Sequence, residues 1–206
     1  MAKSTAILSN NFRTRLRSLE FTRKKFDALF LNGLIIRRDI EQVYQGLFLE
    51  SVAAFESFVE ELFLGLLTGQ VSPHSAQTSP KVIFTSRSIA MPIVFAGNFY
   101  DWLPYNRTSK KAKHFFNNNG HPLSTLLKND IDKTEEFRLI RNAIAHKSDY
   151  AKKLFERSVI GPTALSPRER RVGAYLVGHF RSSPPQTRYE NLVIDMSVIF
   201  EKICLA

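Results

Sequence analysis

The stretch that decides the fold is EEFRLIRNAIAHK, residues Glu135–Lys147. In an α-helix each residue is rotated about 100° from the residue before it. Phe137, Ile140 and Ile144 then lie on one narrow arc, which is the face that a hydrophobic core would bury. The opposite arc carries four polar side chains and one small residue, namely Arg138, Arg141, Asn142, His146 and Ala145. The stretch therefore predicts an amphipathic helix with a chemically useful polar face.

That polar face combines groups that can move protons and bind phosphate. An imidazole exchanges protons near neutral pH, and the planar guanidinium fork fits phosphate oxygens. Asn142 and His146 are four residues apart and therefore neighbour each other on a helix surface. Arg141 and His146 lie about 140° apart around the helix axis. Two copies of the helix that meet across a two-fold axis would bring these two groups closer together.

The hexapeptide RNAIAH, residues Arg141–His146, resembles the R-x4-6-H signature of the HEPN superfamily. Asn142 corresponds to the polar residue that often follows the arginine of that signature. The nearest type is RiboL-PSP-HEPN, and the resemblance covers roughly residues 10–155. It implies an all-helical fold and a homodimer in which two copies of the Arg141–His146 helix face each other.

The resemblance also implies an activity, because many HEPN proteins are metal-independent endoribonucleases of toxin–antitoxin, abortive-infection and CRISPR-associated systems. The 2′-hydroxyl of RNA would attack the adjacent phosphate, with His146 as general base or acid. Arg141 would stabilise the charge that builds on the phosphoryl oxygens. Asn142 would orient His146 or contact phosphate, and Arg138 would add positive field. The implied products are a 2′,3′-cyclic phosphate and a 5′-hydroxyl.

Other interpretations of the same residues stay open. An arginine and a histidine on a helix surface also occur as ordinary solvated groups, and the helix dipole favours a histidine near the C-terminus. The chain would then be a non-catalytic helical module that binds nucleic acid or an acidic protein partner. In a third interpretation, Arg141 pairs with Glu56 only to hold the helices together.

The composition indicates a globular and strongly basic protein. Hydrophobic residues make up 44% of the 206 residues, and the net charge is +10. Nucleic acid, or an acidic protein such as an antitoxin, is a natural partner for such a charge. The only cysteine is Cys204, which indicates a reducing compartment, and no apolar run has the length of a transmembrane helix. We therefore expect a cytoplasmic protein without a membrane partner.

Two oppositely charged helices are predicted before the central stretch. The first is basic and runs from an N-cap in residues 9–11 to about Leu31, where Asn32-Gly33 indicates a stop. The second is acidic and runs to about Leu67. Their charges predict that they pack side by side. The basic residues predicted for the outer face of the first helix are Arg13, Arg15, Arg17, Arg23, Lys24 and Lys25.

Glu56 falls in the middle of the apolar face of the acidic helix, on the same arc as Val59 and Phe63. A buried carboxylate needs a partner or becomes protonated. One interpretation is that Glu56 pairs with Arg141 or Arg138 and orients the site, since HEPN proteins often carry an acid at a similar place. The other is that Glu56 lies near the helix margin and reaches solvent.

A second basic patch is predicted on a helix from about Lys110 to Asn118, capped by residue 108 or 109. Lys110, Lys111 and Lys113 stand there with Arg107 and without an acid. This patch is either an RNA-binding surface that contacts phosphates or an ordinary solvated face.

Local sequence signals predict where helices begin on either side of the central stretch. His121-Pro122 predicts the start of a short helix to Lys128, and Asp130 is the predicted N-cap of the central helix. Ser148 is the predicted N-cap of the next helix. Tyr150 follows closely and either lines the same site as His146 or is an ordinary surface or core tyrosine.

We predict one all-α domain over residues 1–206, an antiparallel helical bundle with its core at about 10–155. Prolines and glycines predict a loop-rich appendage at about 156–187, which could contact RNA or a partner, and a closing helix at about 188–205. The sequence has no Gly-rich phosphate loop, no HExxH and no paired CxxC, and its five histidines are scattered. These absences favour chemistry without a metal or another cofactor.

Overall fold

The structure, a computed structural model, describes residues 2–96, 101–146 and 148–206, without the side chains of residues 181 and 182. Helices make up 69% of the chain, which confirms the predicted all-α class. None of the described helices combines the length and the apolar character needed to cross a bilayer. The helices are α1 (Thr5–Leu31), α2 (Arg37–Leu67), α3 (Arg87–Phe95), α4 (Tyr105–Phe115), α5 (Lys128–His146), α6 (Asp149–Phe155), α7 (Val172–Val177) and α8 (Arg188–Leu205).

The strands form two short pairs. β1 (Lys3–Ser4) pairs in parallel with β2 (Val71–Ser72). β3 (His179–Ser182) pairs antiparallel with β4 (Pro185–Thr187). The second pair occupies part of the predicted loop-rich appendage, so that segment contains a hairpin that the sequence analysis did not predict.

The helix α1 begins earlier than predicted but ends where the sequence indicated. Its cap is Ser4, whose Oγ accepts a hydrogen bond from the N–H of Ile7 at 3.3 Å, so the N-cap predicted in residues 9–11 is wrong. At the other end Gly33 has a φ of +71°. The N–H groups of Gly33 and Leu34 donate to carbonyls of the last helical turn at 3.0 and 2.9 Å, which ends the helix.

The chain divides into two compact units. The first unit comprises Met1–Arg13, Ala54–Glu135 and Ser197–Ala206. The second comprises Thr14–Ala53 and Glu136–Met196. The helices α1, α2, α5 and α8 contribute residues to both.

The core of the first unit is built on aromatic rings. The ring of Phe200 on α8 lies 4.5 Å from that of Phe12 on α1 and 4.6 Å from that of Phe58 on α2. A second group forms around Phe63, whose ring centroid is 5.3 Å from Trp102 and 5.2 Å from Phe116. All six side chains are buried, so Trp102 is an anchor of this unit.

The single cysteine, Cys204, lies in the same unit near the end of α8. Its side chain is buried, and that burial raises the pKa of the thiol to about 12. At neutral pH the sulfur is therefore protonated and shielded from solvent.

In the second unit α1 and α2 pack antiparallel, as predicted. Arg15 binds Glu50 at 2.6 Å, and further along the pair Arg23 donates to the hydroxyl of Tyr44 at 3.3 Å. From Arg15 to Arg23 along α1, the contact residue on α2 therefore changes from Glu50 to the earlier Tyr44, which is the pattern of antiparallel helices. Tyr189 of α8 packs against Tyr44 with ring centroids 5.4 Å apart.

The helix α4 begins before its predicted start. It starts at Tyr105, and Thr108 lies inside it rather than at its cap. The Thr108 hydroxyl is buried and donates to the carbonyl of Trp102 at 2.9 Å, so it serves the core and not the helix terminus.

The segment before α5 also differs from the prediction. Residues 121–124 form turns, so the short helix expected at His121-Pro122 is absent from this described segment. Asp130 is the third residue of α5 and not its N-cap. It still caps the helix from within, because its Oδ2 accepts from the N–H of Leu127 at 3.2 Å.

The elements after α5 agree more closely with those predicted from the sequence. Ser148 caps α6 as predicted, since its Oγ accepts from the N–H of Ala151 at 3.2 Å. The closing helix is α8, and its bounds match the prediction.

Candidate functional site

The helix α5 forms because its N-terminus is capped and its apolar face is buried. Asp130 caps its first turn, as described above. Phe137 and Ile140 are fully buried and Ile144 is 7% exposed. The predicted helix and its predicted buried face are therefore both confirmed.

The polar face of α5 becomes more exposed toward its C-terminal end. Arg138, Arg141 and Asn142 are half-buried, whereas Ala145 and His146 are exposed. His146 is the last residue of the helix. All five lie in the second unit, so the structure brings the predicted catalytic residues together on one helix surface.

Asn142 has an incompletely satisfied side chain. Its Oδ1 is buried and accepts no hydrogen bond from any described residue. Buried polar atoms nearly always have a partner, and the exceptions ask for an explanation such as a role at a functional site. Asn142 precedes His146 by one helical turn, so this carbonyl oxygen belongs to the same polar face as the imidazole.

Tyr150 lies on α6, the helix that follows α5 in the chain. Lys147, the last residue of the quoted stretch, lies outside the described residues. Tyr150 is 75% exposed and stands in the first turn of α6. Of the three predicted environments for Tyr150, the buried core is therefore wrong. The structure leaves it a surface tyrosine four residues from His146.

Glu56 is half-buried on α2, and Val52 and Val59, its neighbours on the same face of the helix, are buried. It belongs to the first unit, whereas Arg138 and Arg141 belong to the second. A pairing of Glu56 with either arginine stays a prediction.

The three lysines of the predicted RNA-binding patch differ in their environments. Lys110 and Lys113 are exposed on α4, as is Arg107. Lys111 is half-buried, and its ammonium donates to the carbonyl of Val94. Burial lowers the pKa of Lys111 below its ordinary value. Lys111 is thus tied to the first unit, and the accessible charge of the patch comes from the other residues.

A polar cluster that was not predicted surrounds Arg23, a residue predicted on the outer face of α1. Arg23 is 7% exposed, so that placement is wrong. Its Nε and Nη2 donate to the two carboxylate oxygens of Glu20 at 2.8 and 2.7 Å. Nη2 also donates to Glu190 at 2.7 Å, and Nη1 pairs with Asp27. We call Arg23, Glu20, Asp27, Tyr44 and Glu190 the Arg23 cluster.

The Arg23 cluster is held by hydrogen bonds at each of its polar groups. The Tyr44 hydroxyl accepts from Arg23 and donates to Oδ1 of Asp27 at 2.9 Å. Burial raises the pKa of Tyr44 and of Asp27. Burial alone lowers the pKa of Arg23, but hydrogen bonds with Glu20 and Tyr44 outweigh that effect and raise it. The spacing of Glu20 and Asp27, three residues before and four after Arg23, was the available sequence signal.

Two cavities of the described parts of the chain are lined by residues outside α5. One, of about 390 Å³, is in the first unit beside β1 and β2. The other, of about 420 Å³, is in the second unit beside α1, β4 and α8. On the polar face of α5, the exposed residues are Ala145 and His146 at its C-terminal end. Within residues 2–96, 101–146 and 148–206, no three His, Cys, Asp or Glu side chains group to hold a metal ion.

Comparison of the chain with protein families, with curated proteins and with solved structures gave no match.

Proposed function

We propose that the protein is a metal-independent endoribonuclease of the HEPN type. The observation that carries the proposal is the polar face of α5, where half-buried Arg141 and Asn142 lead to an exposed His146 opposite a buried apolar face. This arrangement supplies a guanidinium, an amide and an accessible imidazole on one surface. The resemblance of residues Arg141–His146 to the HEPN signature supplies the reaction class.

In the proposed reaction His146 exchanges the protons. It removes the proton of the RNA 2′-hydroxyl, or it protonates the 5′-oxygen that leaves. The 2′-oxygen forms a bond to phosphorus as the bond to the 5′-oxygen breaks, which gives a 2′,3′-cyclic phosphate and a 5′-hydroxyl. Arg141 stabilises the charge on the phosphoryl oxygens, and Arg138 adds to the positive field. The amide of Asn142 orients the imidazole or contacts the phosphate.

The proposed active form is a homodimer that pairs two α5 helices across a two-fold axis. Arg141 and His146 of one helix are separated around the axis, and Ala145 and His146 are exposed, which makes this end of α5 accessible to a second copy. Two-fold dimers are the commonest oligomers. The exposed Ala145 lets two such surfaces approach closely.

The proposed cellular role is that of a cytoplasmic toxin or phage-defence effector. The net charge of +10 suits RNA as substrate and an acidic antitoxin as partner. Exposed Lys110 and Lys113 offer additional phosphate contacts.

The decisive experiment is cleavage of a mixed RNA by the wild type and by His146→Ala, with a chelator present. We expect the rate to fall by a factor of about 100 or more, as for loss of a general acid or base. His114→Ala is the matched control, because His114 is an exposed histidine on α4. DNA of the same sequence lacks the 2′-hydroxyl and should stay intact. A folded His146→Ala variant that cuts at the wild-type rate would contradict the proposal.

The homodimer can be tested by mixing two inactive variants, His146→Ala and Arg141→Ala. If a site takes Arg141 from one chain and His146 from the other, half of the sites in each mixed dimer are intact. Since about half of the dimers are mixed, about a quarter of the activity should return. No recovery, in a mixture whose subunits are shown to exchange, would rule out a site divided between chains in this way.

A non-catalytic RNA-binding module is the second candidate, and the exposed cations of α4 favour it. Under this alternative Lys110→Glu with Lys113→Glu abolishes RNA binding while His146→Ala leaves it unchanged. Lys111 is not substituted in this test, because its ammonium donates a hydrogen bond to the Val94 carbonyl within the first unit. RNA binding measured against salt concentration, together with the cleavage assay, separates the two candidates, because salt-sensitive binding without cleavage is expected only of the non-catalytic module.

A further inference from the structure

The turn that joins α1 to α2 in the second unit carries three large aliphatic side chains that are open to solvent. Leu31 is 83% exposed, Leu34 is 70% exposed and Ile36 is 66% exposed. Since α1 and α2 pack antiparallel, these three side chains stand at the outer end of a helical hairpin, and we call them the hairpin tip. Single exposed aliphatic residues are common, but a group of them rimmed by polar residues marks an interaction site.

The backbone of the hairpin tip is fixed by hydrogen bonds at both of its ends. The N–H groups of Gly33 and Leu34 donate to the last turn of α1 at 3.0 and 2.9 Å. The N–H of Ile36 donates at 3.0 Å to Oδ2 of Asp39, which lies in the first turn of α2. The exposed position of the three side chains therefore follows from an ordered turn.

Cations surround the hairpin tip. Arg37 and Arg171 each bind Glu41 at 3.1 Å, which places the segment before α7 beside the start of α2. Residues 24–41 and 166–171 together hold seven cations and four acids, and of these acids only Asp39 is exposed. The exposed cations are Lys24, Lys25, Arg38, Arg168, Arg170 and Arg171. The surface behind the tip is therefore positively charged.

The combination of an aliphatic tip with a cationic rim favours one kind of partner. RNA would engage the cations, but its phosphates and sugars offer nothing that would bury three aliphatic side chains. A protein interface of standard size uses roughly 20–30 residues on each side, far more than this tip supplies. An anionic bilayer surface satisfies both parts, because aliphatic side chains enter the boundary of the acyl chains while cations attract the headgroups.

We propose that the hairpin tip docks the protein on a bilayer surface that contains anionic phospholipid. Leu31, Leu34 and Ile36 enter the boundary of the acyl chains, and Arg38 and Arg168 stay at the level of the headgroups. The expectation of no membrane partner rested on the lack of an apolar run long enough to span a bilayer, and peripheral docking does not need such a run. The proposal does not depend on the ribonuclease activity.

The test is cosedimentation of the full-length protein with vesicles. We expect binding to vesicles that contain phosphatidylglycerol and phosphatidylcholine, and much weaker binding to vesicles of phosphatidylcholine alone. Added salt should weaken the binding, because it screens the attraction between the cations and the headgroups. Absence of binding to the anionic vesicles, or equal binding to the neutral ones, overturns the proposal.

Two pairs of variants separate the two parts of the surface. Leu34→Ser should weaken vesicle binding by about tenfold or more, as for an aliphatic side chain that is no longer buried. Ile194→Ser, at an aliphatic residue of α8 that is 50% exposed in the same unit, is its control. Arg38→Gln should weaken binding about fivefold. Arg17→Gln should have little effect, because Arg17 lies about 21 Å before Leu31 along α1, roughly two Debye lengths in 0.1 M salt.

Insertion of the tip is measured by tryptophan fluorescence of Leu34→Trp. On anionic vesicles its emission should shift to shorter wavelength and be quenched by phospholipids with brominated acyl chains. Trp102 is 3% exposed and gives a constant background that the wild type measures. Vesicle binding without this quenching would show adsorption by charge alone and would overturn the docking geometry.

The other occupants of the tip give different results. Vesicle binding that Leu34→Ser leaves unchanged, in a folded variant that loses self-association in analytical ultracentrifugation, would assign the tip to a second copy of the chain. If Arg38→Gln weakens RNA binding but leaves vesicle binding unchanged, the cations serve RNA. Either result overturns the proposal. RNA cleavage is not used in these measurements, so this proposal and the proposed ribonuclease activity can fail independently.

Discussion

The Arg23 cluster and the polar face of α5 use the same chemical groups in opposite ways, although both lie in the second unit. The guanidinium of Arg23 is buried and is held by three carboxylates and a phenol. On α5, His146 is exposed and the buried Oδ1 of Asn142 accepts no hydrogen bond from the described residues. One set of polar groups is enclosed by the protein, and the other faces outward.

This difference distinguishes polar residues that have a structural role from those that are available for chemistry. A buried charge is tolerated only when its neighbours satisfy it, so full satisfaction is typical of a structural role. A surface imidazole contributes little to stability, so His146, beside the unsatisfied amide of Asn142, is available for chemistry. Substitutions should therefore separate the two regions: those in the cluster change stability, and those on α5 change activity.

The largest expected effect is that of Arg23→Met. It leaves Glu20, Asp27 and Glu190 without their shared cation in a largely buried site, which should cost about 3–5 kcal/mol of unfolding free energy. His146→Ala should change that free energy by less than about 0.5 kcal/mol, because the residue is exposed. Urea denaturation followed by circular dichroism measures both. Equal stabilities of the two variants would remove the distinction between the regions.

A smaller effect is expected for Tyr44→Phe. The substitution keeps the buried ring but removes the hydroxyl that donates to Asp27 and accepts from Arg23. We expect a loss of about 1–2 kcal/mol in urea denaturation, the usual cost of a buried hydrogen bond whose partners stay behind. Tyr150→Phe is the control, since that side chain is 75% exposed and should be neutral. A neutral Tyr44→Phe would show that the phenol is not needed in the cluster.

The smallest effect concerns His121, a second enclosed polar group, in the first unit. Its Nδ1 lies 2.8 Å from Oγ1 of Thr78, and burial lowers the pKa of His121 below its ordinary value of 6.5. The unfolded chain therefore binds a proton more readily. The stabilising contribution is complete above about pH 6.5 and is lost as the pH falls toward the lowered folded-state pKa.

This effect is measured as the difference in unfolding free energy between neutral and mildly acidic pH. His121→Gln should reduce the difference, and His114→Gln, at an exposed histidine of α4, should not. An identical pH dependence in the wild type and in His121→Gln would assign the acid sensitivity to other groups.

Periodicity and local caps predicted the parts of the fold that depend on neighbouring residues. The buried face of α5, the stop at Asn32-Gly33, the Ser148 cap and the bounds of α8 were all correct. Each depends on residues within a turn or two along the chain, so the sequence carries the information directly.

The errors arose where a distant contact decided the outcome. Arg23 looks like a surface cation, because its partners Tyr44 and Glu190 are remote in sequence. Thr108 looks like an N-cap, but its hydroxyl donates a hydrogen bond to the carbonyl of Trp102. The cavity beside Arg17 and Gln186 was not predictable, since α1 and β4 are far apart along the chain. The roles of the α5 residues come from chemistry and resemblance, and they stay predictions.

The buried Cys204 has a practical consequence for testing the proposed homodimer. A protonated, enclosed thiol reacts slowly with maleimides and disulfides, so the natural chain behaves as a cysteine-free background. Ala145→Cys would then place the one reactive sulfur on the exposed end of α5. Such a sulfur can report the distance between two α5 helices by cross-linking or by spin labels. The native cysteine need not be removed first.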